Sequence, residues 1–387
     1  MKRSILILTA LLLSLSILCG CAKNGEEAQS GKDEWDTVVA RCGDHELTNA
    51  TLSYYFWSGY GAFLNYYDSS SQTILDLYTP LDEQQYSEDM TWEDYFVDNA
   101  MTAFRQYSAI CDLAAEKGFT LSDANRAMLE NLEQELQTTA EEMGFETALE
   151  YLQTNYGPGA SMDSYRDYME DYMTVVEYVT QAQAESSFTD AEIEANFDDN
   201  SASYEEKGIK KDSRNMVSLR YLTLFEYDNA WENSAGETIS SAGDVFDKLL
   251  EEWETSDDHS EDAFMALGEK WATYGVQQNY VEQMAPDSGN EPQIETWAFD
   301  ATRKPGDFYA LASNSGYFLL YFVGTCDHPY WYEQSLYDLR YTAFSKIVDD
   351  RINSMEFSME PEKITISKSM DMYEEPQEGT ESPESAD

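Results

Sequence analysis

The chain has 387 residues, of which 42% are hydrophobic and 14% aromatic, so it is long enough for two or three domains with a sizeable core. Its 75 acidic residues against 23 Lys and Arg give a formal charge of -52. This charge argues against binding to nucleic acid or to anionic lipid head groups, because few cations are present to neutralise phosphates. A solvated acidic surface is the simplest interpretation, and a preference for basic partner proteins or calcium is the alternative.

The N-terminus carries the pattern of an export signal. Two basic residues precede an apolar run over 5–18, which is too short for a comfortable membrane span and predicts a signal peptide over 1–20. The run ends in Leu-Cys-Gly-Cys at 18–21, which resembles a bacterial lipobox with Cys21 as the residue that receives lipid. We therefore expect an extracytoplasmic chain that is lipid-anchored to a bacterial cell membrane, with ordinary secretory cleavage as the alternative.

The cysteines and histidines do not form a metal or disulfide framework. After Cys21 the remaining cysteines are Cys42, Cys111 and Cys326, which are widely separated and include no Cys-x-x-Cys pair. One disulfide among them stays open as an alternative to three buried thiols. The histidines also lie far apart and show no metal-ligand spacing: His45, His259 and His328. The sequence therefore predicts no bound metal and no other cofactor.

The first half of the chain predicts a hairpin followed by a bundle of helices. Residues 21–36 are polar and predict a flexible linker. A Gly-Asp turn between two short runs predicts a hairpin over 37–48. Periodicity and capping residues then predict helices that begin at or just after Asn49, Thr91, Ser122, Ser161 and Thr189. We expect these elements to form one helical domain over 37–207.

The helix after Asn49 carries more aromatic side chains than one buried stripe needs. These side chains are Tyr54, Tyr55, Phe56, Trp57, Tyr60, Phe63, Tyr66 and Tyr67. Two interpretations are open at this point: some of the rings line an exposed apolar surface, or all of them pack against the helix predicted over 91–118.

A basic polar stretch over 208–214 separates the helical region from a region in which strands and helices alternate. The predicted elements are helices over 242–254 and 261–271 and strands over 216–225, 294–299 and 316–323. This pattern predicts a mixed α/β domain over 215–326 and an α+β fold class for the whole chain. Acidic residues crowd at 257–262, where a solvated loop is the simpler interpretation and weak calcium binding the alternative.

The C-terminal part of the chain predicts a helix, a short strand and a tail. From residue 329 apolar residues recur at helical spacing, and a β-branched run over 363–366 predicts a strand. Residues 369–387 carry no basic residue and little apolar bulk, so they predict a disordered acidic tail.

Several segments together resemble the exported foldases of the PrsA and SurA type. Residues 217–225 and 315–324 resemble the first and last strands of the parvulin-type peptidyl-prolyl isomerases. The resemblance implies a SurA-like helical chaperone domain over 37–207, an inserted parvulin-like domain over 215–326, and a C-terminal helix and strand over 329–368 that pack on the first domain. It also implies unfolded or newly exported polypeptides as partners, with a homodimer left open.

The parvulin resemblance also places a site. In that family each of two strands carries a histidine that faces the active site, and the matching positions here are Tyr221 and Phe318. The resemblance assigns the proline pocket to Ile294, Phe299 and Met284. Tyr221 still offers a hydrogen-bond donor, whereas Phe318 offers none. The resemblance therefore implies a domain that keeps the fold and has weak or absent isomerase activity.

Three hypotheses about function follow from these residues. The first is a membrane-anchored foldase with a degenerate isomerase domain. The second is an active isomerase with a divergent site that depends on Tyr221, and the third is a solute-binding lipoprotein. An open apolar groove favours the first two hypotheses, and an enclosed polar pocket favours the third.

Overall fold

The computed structural model describes residues 32–70, 75–77, 79–226, 230–234, 236–289 and 291–367. The predicted signal peptide, Cys21 and the predicted acidic tail lie outside the described residues. Within them, contacts divide the chain into two compact units, one formed by 32–186 with 342–367 and the other by 187–341. The contacts thus assign 187–207 to the second unit, whereas the sequence places these residues in the helical domain.

Helices account for most of the first unit, and strands and helices alternate in the second. In chain order the described elements are α1 (Lys32–Trp35), β1 (Val38–Cys42), β2 (His45–Thr48), α2 (Asn49–Ser70), β3 (Gln85–Ser87), β4 (Met90–Thr91), α3 (Trp92–Glu116), α4 (Asp123–Glu142), α5 (Ala148–Tyr156), α6 (Met162–Glu185), α7 (Asp190–Asp199), α8 (Ser201–Glu206), β5 (Val217–Leu224), β6 (Trp231–Glu232), β7 (Thr238–Ile239), α9 (Ala242–Thr255), α10 (Glu261–Trp271), β8 (Gln277–Met284), α11 (Pro292–Ala298), β9 (Phe308–Ser313), β10 (Gly316–Thr325), α12 (Tyr330–Ser354) and β11 (Phe357–Met359).

The first unit packs its helices around aromatic side chains. Five of those on α2 are buried: Tyr54, Tyr55, Phe56, Trp57 and Tyr60. The ring centres of Phe56 and Tyr60 lie 5.8 and 5.3 Å from that of Phe96 on α3. Packing against α3 is therefore the interpretation that applies to most of these rings. Tyr66 is exposed, and the side chain of Tyr67 lies outside the described residues.

Side-chain caps fix where the helices begin. At Thr91 and Thr189 the hydroxyl accepts a hydrogen bond from the backbone three residues later, and the carboxylate at that position accepts one from the cap residue's own N–H. The hydroxyls of Ser122 and Ser161 also accept from the first turns of α4 and α6. The predicted starts of these helices are confirmed, because each cap satisfies backbone donors that have no partner within the helix.

The predicted flexible linker over 21–36 is wrong at its C-terminal end. Lys32–Trp35 forms the short helix α1, and Trp35 is buried. A Cβ built on Gly159 would lie 2.7 Å from the Trp35 indole, so only glycine permits this approach. An indole is large and apolar, and its burial offsets the entropy lost when the segment becomes ordered.

The predicted strand over 363–366 is also wrong, because the strand forms earlier in the chain. β11 pairs with β1 in a three-stranded antiparallel sheet of order β11-β1-β2, with Phe357 opposite Cys42. The pairing ends before Pro361, which lacks a backbone N–H. The backbone N–H of Thr365 then donates to the side chain of Asn49 instead of to a strand.

The second unit is built on a four-stranded antiparallel sheet of order β8-β5-β10-β9. Side chains alternate between its two faces. On one face, the residues buried beneath α9 and α10 include Leu222 and Leu319. On the other face, α11 covers a second apolar cluster that includes Leu320 and Phe322.

The predicted strand over 294–299 is wrong, since Pro292–Ala298 forms α11. Proline is favourable in the first turn of a helix, and Ile294, Trp297 and Ala298 are buried at helical spacing. The strands β8 and β9 were not predicted from the sequence. β8 is mostly polar, so it lacks the apolar alternation that identifies a half-buried strand.

The predicted fold class is confirmed as α+β. An α/β unit is inserted into a helical unit, and α12 begins in the former and continues into the latter from residue 342. In the described part of the chain, no helix combines the length and the apolar character that crossing a bilayer requires.

Candidate functional site

The five residues assigned to the site come together on one face of the sheet. Tyr221 lies on β5, Phe318 on β10 and Met284 at the end of β8. Ile294 belongs to α11, and Phe299 directly follows it. All five belong to the single apolar cluster between the sheet and α11. The fold therefore brings together positions that are distant in sequence, with α11 on one side of the site and the sheet on the other.

The two positions that correspond to the family histidines are neighbours on this face but do not pair directly. Tyr221 lies opposite Leu320, and Phe318 lies opposite Thr223. Because Tyr221 and Thr223 are two residues apart on one strand, Tyr221 and Phe318 point to the same face of the sheet.

The hydroxyl of Tyr221 is buried in an apolar setting. Tyr221 is 7% exposed, and its Oη lies 3.6 Å from the Sδ of Met284, a weak acceptor. Burial first, and then the charge of the nearby Glu295 carboxylate, raises the pKa of Tyr221 to about 12. At neutral pH Tyr221 is thus an uncharged phenol that contacts a thioether.

Glu295 is a polar residue at this site that the sequence analysis did not select. Its Oε1 is buried and has no hydrogen-bond partner among the described atoms, and its charge acts on Tyr221. Glu295 lies inside the run over 294–299 that the sequence predicts as a strand. No local signal in the sequence identifies it, because its position near Tyr221 depends on the short helix α11.

The surroundings of Phe318 add one neutral polar pair. Asn279 on β8 donates from Nδ2 to the Oγ1 of Thr223 at 3.3 Å, and Thr223 lies opposite Phe318. Phe318 is itself partly buried and offers only a ring face. This arrangement can hold an apolar side chain beside an amide. Among the described residues no histidine lies on this face, and the guanidinium groups of Arg214 and Arg303 lie 5.9 and 4.9 Å from the ring centres of Phe299 and Trp297 at its border.

The remaining histidines and cysteines lie elsewhere and serve local contacts. His45 bonds Asp112 at 2.9 Å, and the Nε2 of His259 lies 2.8 Å from a backbone carbonyl. Cys42, Cys111 and Cys326 are free thiols. Burial first, and then the Asp171 carboxylate, raises the pKa of Cys111 well above its usual range. Among the described residues, no three His, Cys, Asp or Glu side chains are grouped closely enough to hold a metal ion.

Two of the acidic residues at 257–262, Asp258 and Glu261, are engaged by a hydrogen bond and an ion pair. Asp258 accepts from the backbone N–H of Ser260. Glu261 accepts from Arg220 at 2.7 Å, and the guanidinium of Arg220 lies 3.5 Å from the ring centre of Tyr280 on β8. These contacts fix the start of α10 against the sheet.

A pocket of about 600 Å³ lies in the helical unit among α3, α4 and α6. Its lining combines the apolar side chains of Phe119 and Leu129 with Arg126 and Arg166. Both guanidinium groups donate to backbone carbonyls, those of Leu121 and Leu129, so they serve the loop and helix ends around the pocket. The pocket lies within one unit, unlike the cleft between two lobes with repeated βα units that a solute-binding lipoprotein is expected to show.

The fold and the site together define a two-unit protein whose α/β unit presents an apolar, histidine-free face. No family model matches the chain, and no curated protein matches it. Among solved structures, the chain is similar to PrsA from Bacillus subtilis, with 12% identity, 71% of this chain and 92% of that chain covered, and a TM-score of 0.32.

Two further solved structures belong to the same group. One comes from the SurA-like chaperones PEB4 and Cj1289 of Campylobacter jejuni, with 8% identity, 84% of this chain and 99% of that chain covered, and a TM-score of 0.27. The other is the foldase protein PrsA from Streptococcus pneumoniae, with 11% identity, 70% and 87% coverage, and a TM-score of 0.27. All three TM-scores lie below 0.5.

Proposed function

We propose that this protein is a membrane-anchored, extracytoplasmic chaperone that holds unfolded polypeptides, and that its parvulin-like unit has lost most or all isomerase activity. The observation that carries the proposal is the pair of residues at the family's histidine positions. Tyr221 is buried against the thioether of Met284, and Phe318 offers only a ring.

The chemistry of prolyl isomerisation explains why this pair matters. Rotation about the X–Pro bond has a barrier of roughly 20 kcal/mol, because the amide resists loss of planarity. An enzyme lowers that barrier by placing polar groups where the twisted amide needs them. A buried phenol that faces sulfur and a phenylalanine ring supply apolar contact but no such groups.

The residues that surround this pair still suit a binding role. Most of the cluster beneath α11 is buried, and its half-buried members Phe299, Tyr309 and Phe318 are the apolar groups that a peptide can contact, with the Asn279–Thr223 pair beside them. An apolar surface flanked by neutral hydrogen-bonding groups accepts many different peptide side chains. Binding without chemistry is therefore the function that this face supports best.

The location is part of the proposal. It is supported by the apolar run over 5–18 and by the Leu-Cys-Gly-Cys sequence that ends at Cys21. A chain tethered at Cys21 outside the membrane would meet polypeptides as they emerge unfolded from export. Its charge of -52 would keep it soluble while it carries an apolar client.

The proposal predicts that the chain from residue 22 onward suppresses aggregation of a chemically unfolded client. We expect light scattering of the diluted client to fall by at least half at an equimolar ratio. Because apolar contacts carry the holding, the effect should persist at 0.5 M salt, where charge interactions are screened to a few ångströms, about 4 Å. Heat-unfolded chain at the same concentration is the control. Scattering that is unchanged by the native chain would contradict the proposal.

A further inference from the structure

The strand β8 forms one edge of the sheet in the second unit and is unusually long for an edge. β8 has eight residues, as many as the central strand β5, and in the sheet order it pairs with β5 alone. Among the described residues, no strand lies on its outer side. Its outward N–H and C=O groups therefore form a template on which another extended chain can pair.

β8 carries few of the features that usually protect such an edge. Its sequence, Gln-Gln-Asn-Tyr-Val-Glu-Gln-Met, contains no Lys, no Arg and no Pro, its one charge is Glu282, and its pairing with β5 is irregular only near Val217. The opposite edge, β9, also lacks Lys, Arg and Pro but is shorter, with six residues. β8 is therefore the longer of the two open edges.

The inner side of β8 is held in place, so its outer side is ready for pairing without reorganisation. Asn279 donates to Thr223, and Tyr280 lies beneath the guanidinium of Arg220. The pairing with β5 is regular from Leu219 opposite Val281 to Thr223 opposite Gln277. A strand that is already ordered loses little conformational entropy when a partner binds.

We propose that β8 is the docking edge for an extended segment of the client polypeptide, which adds to the sheet as a fifth strand. This inference rests on the proposed function and adds a second contact for the client, besides the apolar face beneath α11. Pairing through main-chain hydrogen bonds accepts many sequences, which is what a holder of diverse unfolded chains requires.

Charge identifies the occupant. A second copy of this chain would bring a further charge of -52, and the tail over 369–387 carries no basic residue, so both are repelled. Gly268 of α10 lies directly against Gln278, which places this helix over one face of β8. The exposed Asp262 and Glu269 belong to the same helix, whose exposed Lys270 is paired with Glu252. The occupant is therefore an extended client segment that carries Lys or Arg in preference to Asp or Glu.

The test uses backbone NMR of the chain from residue 22 with an unstructured twelve-residue peptide that alternates Lys and Thr. We expect amide shifts and at least tenfold slower hydrogen exchange within 277–284. A peptide with Glu in place of Lys should bind at least tenfold more weakly, and so should the Lys peptide N-methylated at every residue. Equal binding of the N-methylated peptide would overturn the proposal.

Two neighbouring proline variants, Gln277→Pro and Gln278→Pro, provide the matched pair. In an antiparallel ladder, adjacent residues direct their N–H groups alternately to the paired strand and away from it. One variant therefore removes a bond to β5, and the other removes only an outward donor. The variant that keeps the native thermal unfolding curve should weaken peptide binding at least tenfold, and unchanged binding by that variant overturns the proposal.

The same spectra distinguish the failure of this inference from the failure of the proposed function. If the Lys peptide shifts amides of the helical unit or of the face beneath α11 and leaves 277–284 unchanged, the docking edge is wrong while the holding function stands. If no amide shifts and client aggregation is also unaffected, both are wrong.

Discussion

Replacing Asn49 with alanine is expected to destabilise the helical unit by roughly 3 kcal/mol. Asn49 is 1% exposed, and its Nδ2 donates to the carbonyls of Glu34 and Lys363 at 3.1 and 3.0 Å. Its Oδ1 accepts from the N–H of Thr365 at 3.0 Å. One side chain thus joins the segments before β1 and after β11. Alanine would leave the carbonyl of Lys363 and the N–H of Thr365 without partners, at about 1 kcal/mol or more each, and would take one of its two donors from the carbonyl of Glu34, which keeps that of Thr37.

The measurement is native-state hydrogen exchange of the α2 and α6 amides, which reports the opening of this unit separately from the other. Asn131→Ala is the matched control, because Asn131 is exposed on α4 and alanine is the better helix former. We expect that control to change stability by less than about 0.5 kcal/mol. Equal effects of the two variants would show that the bonds of Asn49 do not stabilise the contact between the segments before β1 and after β11.

Trp253→Ala is expected to destabilise the α/β unit by about 4 kcal/mol. Trp253 on α9 is 1% exposed and is among the largest fully buried side chains described. Its ring centre lies 5.2 Å from that of Phe264 and 6.2 Å from that of Tyr321, so it joins α9 to α10 and to the sheet. Truncation would open a cavity that these rings cannot refill.

Trp253→Phe separates the cost of lost ring volume from the cost of the unpaired indole N–H at the same position. The Nε1 of Trp253 is buried and has no partner among the described atoms. Phenylalanine removes that donor while it keeps an aromatic ring, so part of the lost packing is offset. We expect less than half the effect of alanine, read from urea unfolding followed by hydrogen exchange of the α10 amides. A larger effect for phenylalanine than for alanine would contradict this account of the core.

The sequence predicts the helical unit well because local signals there agree with the fold. Each hydroxyl cap at Thr91, Ser122, Ser161 and Thr189 precedes an apolar stripe of helical period, so both signals mark the same boundary. The central strands β5 and β10 are equally clear, because they are apolar runs with four consecutive buried residues each. These elements place Tyr221 and Phe318 on strands, as the sequence predicts.

The elements that were missed depend on tertiary contacts. β8 is polar because it lies at an edge, and only its pairing with β5 makes it a strand. α11 is seven residues long, too short for its period to be distinguished from a strand. Trp35 is ordered by a contact with Gly159, far along the chain, which no local window contains. Glu295 is not identified from the sequence, because its position near Tyr221 depends on the helix α11 that carries it.

The most direct test of the central claim is exchange NMR on an X–Pro peptide with the chain from residue 22, with Tyr221→Phe measured alongside. The uncatalysed bond isomerises in tens to hundreds of seconds. Because Tyr221 is buried against Met284 and Phe318 offers no polar group, we predict the uncatalysed rate for both proteins. An acceleration that is lost in Tyr221→Phe would contradict this account and make the protein an active isomerase that uses Tyr221.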